Sequence, residues 1–337
     1  MLLCVCAVAS FVKLQFIGIS PSNDYYEYLS TAKAIAHASG GEINRARILK
    51  PLNPLMVSMI GRLTGFESAL IVQAVLMYGA LTIAMYMLAR EFFRDEDLAF
   101  LAAIMVALSY PVLKYGIEGY SETGAWFFFI LALWLTLSFS REPLLRTFLY
   151  ACAVVTVGFL WKEYAIVAGI ILAVVTLAHP ALSVRAKVMF SLIGAGMFGA
   201  VHIPWQLYVQ HVYDFNYFKW SETSRVGFSV EFTAKNVTKS LAAVLGLAWL
   251  LVPVGARARQ LFEPWQRRFV YIATPVPFMS FLWGYISSRT FYVIAPPMML
   301  VAVHGMRSWS PAARYAMVGT VIAGNVAWLF LSYSVKL

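Results

Sequence analysis

Long apolar runs recur from one end of this 337-residue chain to the other. Most of these runs cover about 17–23 residues, the length that an α-helix needs to cross a hydrocarbon core of about 30 Å. Transmembrane β-strands alternate apolar and polar residues, and these runs do not. Only 12% of the residues are charged, against roughly 25% in soluble domains. The sequence therefore predicts an all-α polytopic membrane protein.

We expect about eleven transmembrane helices in a single transmembrane domain over residues 1–337. They lie near residues 1–19, 67–90, 98–114, 122–140, 147–161, 163–178, 187–208, 237–254, 268–287, 291–306 and 314–334. The short spans around Trp161-Lys162-Glu163-Tyr164 also fit a broken or re-entrant helix pair. Two long polar loops, 20–66 and 209–236, interrupt the series. No soluble domain is expected, and the first span is interpreted as a retained helix.

Basic residues in the short loops predict the orientation of the bundle. They fall on one side, which the positive-inside rule makes cytoplasmic, together with the N-terminus. These residues are Arg90, Arg94, Arg141, Arg146, Arg185, Lys187, Arg257, Arg259, Arg267, Arg268, Arg307 and Arg314. Both long loops then lie on the outer face, which would be periplasmic in a bacterial inner membrane. Cations on that face would suit an anionic, phosphate-bearing ligand, and nucleic acid is not an expected partner.

The first outer loop opens with an acidic and aromatic stretch, Asp24-Tyr25-Tyr26-Glu27-Tyr28. Helical spacing begins at Asp24, Gly40-Gly41 should stop that helix, and the segment Pro51–Pro54 should begin a second one. Two amphipathic helices lying in the membrane interface fit this pattern. Asp24 and Glu27 have the form of a capping box, which is the structural interpretation of the aspartate. A carboxylate held at a helix start could also take a proton from an acceptor hydroxyl.

Several motifs in this region occur in a fixed order. Asp24-x-x-x-Tyr28, an Ala32-centred helix and Gly40-Gly41 precede Arg47-x-x-Lys50-Pro51-Leu52-x-Pro54-Leu55. This order resembles the first outer loop of the GT-C superfamily, whose integral-membrane glycosyltransferases use polyprenyl-phosphate sugars and include protein O-mannosyltransferases and the lipid A aminoarabinose transferase. Looser matches are Pro111 with Glu118 to Glu122, Lys162-Glu163, and Arg289-x-x-Tyr292-x-x-x-Pro296. The likeness covers roughly residues 1–180 and the last of these motifs, and we expect no counterpart of the family's large soluble C-terminal domain.

The resemblance implies an inverting glycosyltransferase that moves a sugar from a polyprenyl phosphate to a hydroxyl of a lipid, glycan or protein at the outer face. Asp24 is then the base, and Glu122 and Glu118, one helical turn apart, support it. A departing phosphate needs cations in a site shielded from water. The cationic candidates are Arg45, Arg47, Lys50, Lys162, Arg225 and Arg289, with Arg289 preferred. Tyr28, Glu163, His202 and Tyr292 complete the expected substrate-binding set.

The charged candidates also have structural interpretations. Glu122 could cap the following span, and Arg289 could be an interfacial anchor. Lys162 and Glu163 could form an ion pair with each other at a tight turn. Arg45 and Arg47 could be solvated loop residues.

Neither histidine nor cysteine indicates a metal site. His202, two residues before Pro204, fits a kinked helix end with a hydrogen-bonded imidazole better than a catalytic role. The three cysteines lie in predicted spans without metal-binding spacing. A magnesium or manganese ion on Asp24 and Glu122 is compatible with the sequence but not required by it.

Two other functions remain open for this sequence. One is a non-catalytic membrane subunit or assembly factor on the same scaffold. The other is a transporter or flippase for a lipid-linked sugar, which predicts charges at the midplane of several spans. The charges in this sequence gather at one face instead, so the transporter ranks last.

Overall fold

The computed structural model describes residues 1–19, 21–223, 234–258, 262–282 and 287–334, and every regular element in them is helical. The α-helices are α1 (Leu2–Val12), α2 (Asn23–Ile35), α3 (Arg45–Ile48), α4 (Leu52–Thr64), α5 (Phe66–Phe93), α6 (Glu96–Ala107), α7 (Tyr110–Tyr115), α8 (Glu122–Arg141), α9 (Leu145–Trp161), α10 (Ala165–Ala178), α11 (Val184–Tyr213), α12 (Tyr217–Thr223), α13 (Ala234–Leu245), α14 (Val252–Arg257), α15 (Pro264–Ala273), α16 (Ala295–His304) and α17 (Pro311–Ser334). A π-helical turn (Lys13–Ile17) follows α1, and 3₁₀ turns cover Gly246–Leu250, Val276–Leu282 and Phe291–Ile294. The all-α prediction is confirmed.

Four of the described helices, α5, α8, α11 and α17, are long and apolar enough to cross a membrane. Several expected spans are divided instead. The run 98–114 breaks after Ala107, and Pro111 lies in the first turn of α7, where its missing N–H costs no helical hydrogen bond. The α-helical part of the run 268–287 ends at Ala273, just before Pro275. The count of eleven therefore stays a prediction.

Helices α5 and α8 form the centre of the bundle. In the most apolar 18-residue segment of each helix, 56% of α5 and 67% of α8 is buried inside the protein. The corresponding shares are only 11% for α11 and 22% for α17. The central helices pack against each other and against α6 and α9. Helices α11 and α17 therefore lie at the periphery, where a bilayer would cover their apolar faces.

A tight contact between α8 and α9 sets the position of the turn after α9. Gly124 faces the buried indole ring of Trp161, and a Cβ at this glycine would overlap that ring. The indole Nε1 also donates a hydrogen bond of 2.8 Å to the carbonyl of Ser121. The end of α9 is thus held against the start of α8, which places Lys162 beside Glu122.

We expect Gly124→Ala to destabilise the protein by about 1–3 kcal/mol, because the methyl group overpacks a buried contact. Thermal unfolding in detergent measures the change. Gly196→Ala in α11 is the matched control, since a Cβ at Gly196 meets nothing within 4 Å and should be neutral or slightly stabilising. Equal effects of the two substitutions would contradict the packing argument.

Polar groups gather at two ends of the bundle. At one, which we call the Asp97 end, ion pairs join the loops predicted to be cytoplasmic. These pairs are Arg90–Glu96, Arg94–Glu263, Arg141–Glu91 and Arg314–Asp97. At the other, the Asp24 end, the first outer loop meets the Lys162 turn and Arg289. The bundle therefore separates the two sets of loops as the charge pattern predicted.

The first outer loop contains helices α2, α3 and α4. Helix α2 ends at Ile35, before the expected stop at Gly40-Gly41, because the chain turns back onto it. Gly41 lies so close that a Cβ there would overlap the backbone of Ala34. The capping-box interpretation is wrong, since the residue at the N-cap is Ser22, no side chain caps the helix, and Asp24 lies inside its first turn.

Candidate active site

Asp24 is held between two arginines at the start of α2. Its Oδ1 accepts a hydrogen bond of 2.5 Å from Arg47, and its Oδ2 accepts one of 3.0 Å from Arg289. Burial would by itself raise the pKa of the Asp24 carboxyl, but the positive charges of Arg47, Arg289 and Lys162 outweigh it and hold the pKa below its ordinary value. Asp24 is therefore ionised at neutral pH.

Arg47 is fixed in place by the elements on both sides of it. The side chain of Asn44 accepts from the backbone N–H of Arg47 and so caps the short helix α3. The Arg47 guanidinium donates to Glu27 Oε2 at 2.8 Å and lies 4.6 Å from the ring centroid of Tyr28. Arg47 is thus a part of the site and not a solvated loop residue. Glu27, which the sequence suggested only as a capping partner, orients it.

Glu122 joins the Lys162 turn to Arg289. Its Oε1 accepts a 2.5 Å hydrogen bond from Lys162 Nζ and lies 3.5 Å from Arg289 NH1. Lys162 also donates to Ser121 Oγ at 3.1 Å, and the same oxygen accepts from Tyr28 OH at 2.9 Å. Burial would lower the pKa of Lys162, but the adjacent Glu122 carboxylate raises it above its ordinary value. Glu122 is fully buried, and its carboxylate contacts two cations, Lys162 and Arg289.

Lys162 and Glu163 do not form an ion pair with each other. Their two side chains diverge, and Glu163 forms a buried ion pair with Lys50. Burial would raise the pKa of Glu163, but Lys50 and Lys162 hold it below its ordinary value. Lys50 Nζ also lies 4.5 Å from the ring of Trp220. The expected pair is therefore replaced by two pairs to other parts of the chain.

Carboxylates and cations balance in this cluster, which we call the Asp24 network. Within the described ranges it contains four carboxylates and four cations, each in at least one ion pair. They are Asp24, Glu27, Glu122 and Glu163 with Arg47, Lys50, Lys162 and Arg289. The network is thus close to neutral without a bound anion.

A cavity of about 300 Å³ opens beside Asp24 and Arg289. Its other lining residues are Ser22, Asn23, Tyr115, Tyr120 and Ser287. The Tyr120 ring centroid lies 5.7 Å from the Arg289 guanidinium carbon. Sequence reasoning missed the two tyrosines, although both lie in the segment between Pro111 and Glu122 that resembled the family's second acidic loop. The cavity brings a carboxylate, a guanidinium and phenol hydroxyls to one concave surface.

Glu118 and Tyr292 contact other parts of the bundle. Glu118 Oε1 accepts a 2.8 Å hydrogen bond from the buried Lys13 and another from Tyr333. Glu118 thus joins the first and last helices and does not contact Asp24. The Tyr292 hydroxyl lies 2.9 Å from Ser109 Oγ in the core.

The remaining candidates do not join the Asp24 network. His202 Nε2 lies 3.0 Å from the carbonyl oxygen of Thr156, and Pro204 lies inside α11, as the kinked-helix interpretation expected. Arg45 is exposed. Arg225 lies outside the described residues.

The carboxylates of this site do not fit a divalent metal as they are arranged. Both oxygens of Asp24 contact guanidinium groups, and Glu122 Oε1 contacts Lys162. Positive groups in those positions would repel a metal ion. No group of three His, Cys, Asp or Glu side chains converges in the described part of the chain.

The chain is similar to known proteins both in sequence and in fold. Residues 50–208 match the family model of dolichyl-phosphate-mannose-protein mannosyltransferases. ArnT from Cupriavidus metallidurans, solved bound to undecaprenyl phosphate, has a similar structure with a TM-score of 0.70 and 16% identity, covering 94% of this chain and 61% of its own. The oligosaccharyltransferase AglB of Archaeoglobus fulgidus, solved with an inhibitory peptide and a dolichol-phosphate, has a TM-score of 0.57 and 12% identity, covering 99% of this chain and 55% of its own. No curated protein matches the sequence.

These similarities define the class of the protein. It is an integral-membrane protein with the fold of the GT-C glycosyltransferases, and the resemblance seen in its first outer loop is confirmed. The chain spans about three fifths of the length of ArnT and about half that of AglB.

Proposed function

We propose that the protein is an inverting glycosyltransferase that moves a sugar from a polyprenyl phosphate to a hydroxyl acceptor at the Asp24 end. The observation that carries the proposal is the Asp24 carboxylate held between Arg47 and Arg289 at the edge of a cavity of about 300 Å³. The fold and the polyprenyl phosphates bound by ArnT and AglB support the same donor class. The positive-inside rule predicts that this end lies at the periplasmic or lumenal face.

In the proposed reaction the acceptor oxygen attacks the anomeric carbon of the sugar from the face opposite the phosphate. Its proton passes to an oxygen of Asp24. The bond between the anomeric carbon and the phosphate oxygen breaks, and its electron pair leaves with the phosphate. Arg289 and Lys162 stabilise the negative charge that develops on the phosphate. Attack and departure on opposite faces invert the anomeric configuration.

The pairing of Asp24 with Arg289 implies that the base and the donor compete for one cation. A phosphate that takes Arg289 would release one oxygen of Asp24 from its ion pair. Loss of that positive neighbour raises the pKa of the carboxyl toward the range of a useful base. Donor binding would thus prepare Asp24 for the acceptor.

We expect Asp24→Asn to bind undecaprenyl phosphate about tenfold more tightly than the wild type, because the variant loses a negative charge that competes for Arg289. Native mass spectrometry of the full chain in nanodiscs measures the affinity. Asp97→Asn, which removes a carboxylate from an arginine at the opposite end, should leave the affinity unchanged. Weaker binding by Asp24→Asn would overturn the competition.

A transfer assay tests the function itself. The full chain in nanodiscs is incubated with polyprenyl-phosphate sugars and a membrane extract that supplies acceptors. Release of free polyprenyl phosphate, together with a new glycosylated product, is followed by mass spectrometry. Turnover that depends on Asp24 supports the proposal, and the absence of turnover with every sugar tested would exclude it.

A non-catalytic subunit on the same scaffold is the second candidate. The balance of charges in the Asp24 network favours it, because ion pairs that only stabilise a fold would look the same. Such a subunit would show no donor binding and would co-purify with a larger complex. The donor-binding measurement above separates the two candidates.

A further inference from the structure

A cluster of basic side chains at the Asp97 end has no role in the proposed reaction. The carbonyl oxygen of Ser140, near the end of α8, accepts from Arg268 NH1 at 3.4 Å and lies 3.2 Å from His179 Nε2. The backbone N–H of Ala181 donates to His179 Nδ1 at 3.3 Å, so the imidazole is neutral and donates its Nε2 proton to Ser140. Helices α8 and α15 and the loop after α10 therefore meet at one carbonyl group.

Carboxylates do not balance the positive charge of this cluster. Burial lowers the pKa of His179, and the positive charges of Arg268 and Lys187 lower it further, because both cations lie close to the imidazole. Arg268 is partly buried, and neither Arg268 nor Lys187 forms an ion pair with a described carboxylate. Glu142, at the end of α8, is exposed and pairs with no described cation either. A guanidinium and an ammonium group without anionic partners are suited to bind a phosphate.

An apolar groove begins beside the basic cluster. It has a volume of about 320 Å³ and lies between α9, α10 and α11. Thr176 lines it, and the Thr176 carbonyl accepts from the backbone N–H of His179 at 3.3 Å. Lys187 lies one helical turn before Ser191, which lines the groove from α11. The cluster and the groove are therefore continuous along two helices.

Packed aromatic rings make the same connection. The ring centroid of His179 lies 6.0 Å from that of Phe139. The Phe139 ring in turn lies 5.5 Å from Phe148 and 5.6 Å from Phe190. Both of these phenylalanines line the groove, so its wall extends directly to the imidazole of the cluster.

The dimensions of the groove favour a lipid chain from one leaflet. The groove follows α10 from Thr176 to Ile166, a rise of about 15 Å at 1.5 Å per residue, which is half of a hydrocarbon core of about 30 Å. Three of its lining residues are exposed, so it opens to the outside of the bundle, where a bilayer would surround α11. These residues are Ala173, Ser191 and Ala195.

We propose that an anionic phospholipid of the leaflet at the Asp97 end binds here, with its phosphate on Arg268 and Lys187 and one acyl chain in the groove between α9, α10 and α11. Basic pockets between transmembrane helices on the cytoplasmic side suit anionic headgroups, since that leaflet carries the acidic lipids. The lipid would hold α11, the least buried of the four long apolar helices, against the bundle. The site lies at the opposite end from the Asp24 network and does not depend on the proposed function.

Lipid titrations of the full chain test the headgroup assignment. The protein is delipidated in detergent and titrated with phosphatidylglycerol or phosphatidylcholine, and native mass spectrometry measures the affinity of the first bound lipid. We expect phosphatidylglycerol to bind more tightly, and Arg268→Gln and Lys187→Gln each to weaken it about tenfold, the loss of one charge-assisted hydrogen bond. Phosphatidylcholine binding should not change. Arg267→Gln is the matched control, since Arg267 is exposed and donates to the carbonyl of Phe262 at 3.5 Å.

A second pair of variants tests the groove. Ala195 lines the groove and is exposed, so Ala195→Trp fills the groove without disturbing the core. We expect it to weaken phosphatidylglycerol binding about tenfold, because the indole takes the place of the acyl chain and its packing contacts. Ala200→Trp is the matched control, since Ala200 is exposed on the same helix but outside the groove. This pair still decides the question if Arg268→Gln folds poorly.

Four outcomes would overturn parts of the proposal. Equal binding of both lipids by the wild type would overturn the headgroup assignment, and wild-type affinity in Ala195→Trp would overturn the place of the acyl chain. Displacement of phosphatidylglycerol by inorganic phosphate would identify a site for free phosphate instead of a lipid. A dimer that dissociates in Ala195→Trp would identify a second copy of this chain as the occupant. Sugar transfer at the Asp24 end is measured separately and is not decided by any of these results.

Discussion

Asp24→Asn is expected to lower the rate of sugar transfer by about 10²- to 10⁴-fold, the usual contribution of a positioned general base. The amide keeps the size of the carboxylate and can still accept a hydrogen bond from Arg47 or Arg289, but it cannot take the proton of the acceptor. The loss should appear in kcat, whereas donor affinity should rise. Initial rates at several donor concentrations separate the two effects.

The matched control for this experiment is Asp97→Asn. Asp97 also pairs with an arginine, Arg314, but at the opposite end of the bundle. Its substitution should leave transfer close to the wild-type rate. Wild-type turnover in Asp24→Asn would show that another group is the base, whatever the effect on binding.

Glu122→Gln is expected to destabilise the folded protein by about 3–5 kcal/mol, the cost of leaving a buried charge without its partner. Lys162 is almost fully buried, and Glu122 is its 2.5 Å ion-pair partner. Reversible unfolding in mixed micelles measures the difference. Glu96→Gln, which breaks the exposed pair with Arg90, should cost at most about 1 kcal/mol.

A double variant sharpens the Glu122 prediction. Glu122→Gln combined with Lys162→Met removes both charges, so part of the lost stability should return. No recovery in the double variant would mean that the ion pair with Lys162 is not the source of the destabilisation. Because Glu122 also lies 3.5 Å from Arg289, we expect the single variant to lose transfer activity per folded molecule as well.

The ion pairs of the Asp24 network leave it close to electrical neutrality. An incoming phosphate must therefore displace a carboxylate from one of the cations, and the proposed competition at Arg289 describes that displacement.

The short-range sequence pattern was enough to locate the proposed base, Asp24, and one of its arginine partners, Arg47. Asp24 and Arg47 lie on neighbouring helices of one loop, and helical spacing with the proline motif marks both. The same local information also suggested that Asp24 forms a capping box with Glu27, because a capping box and a carboxylate facing a cavity have the same residues at the same spacing. The tertiary structure distinguishes them, since the N-cap of α2 is Ser22 and the Asp24 carboxylate contacts Arg289 far along the chain.

Sequence alone therefore established the membrane class and the helical architecture and indicated the end of the bundle where the proposed site lies, because apolar length and charge position depend on local composition. It could not decide which cation meets which carboxylate. Lys50 pairs with Glu163, Lys162 with Glu122, and Glu118 with Lys13, and each pair joins segments that packing alone brings together. The physical reason is that an ion pair needs its groups within a few ångströms, and the crossing of helices sets that distance.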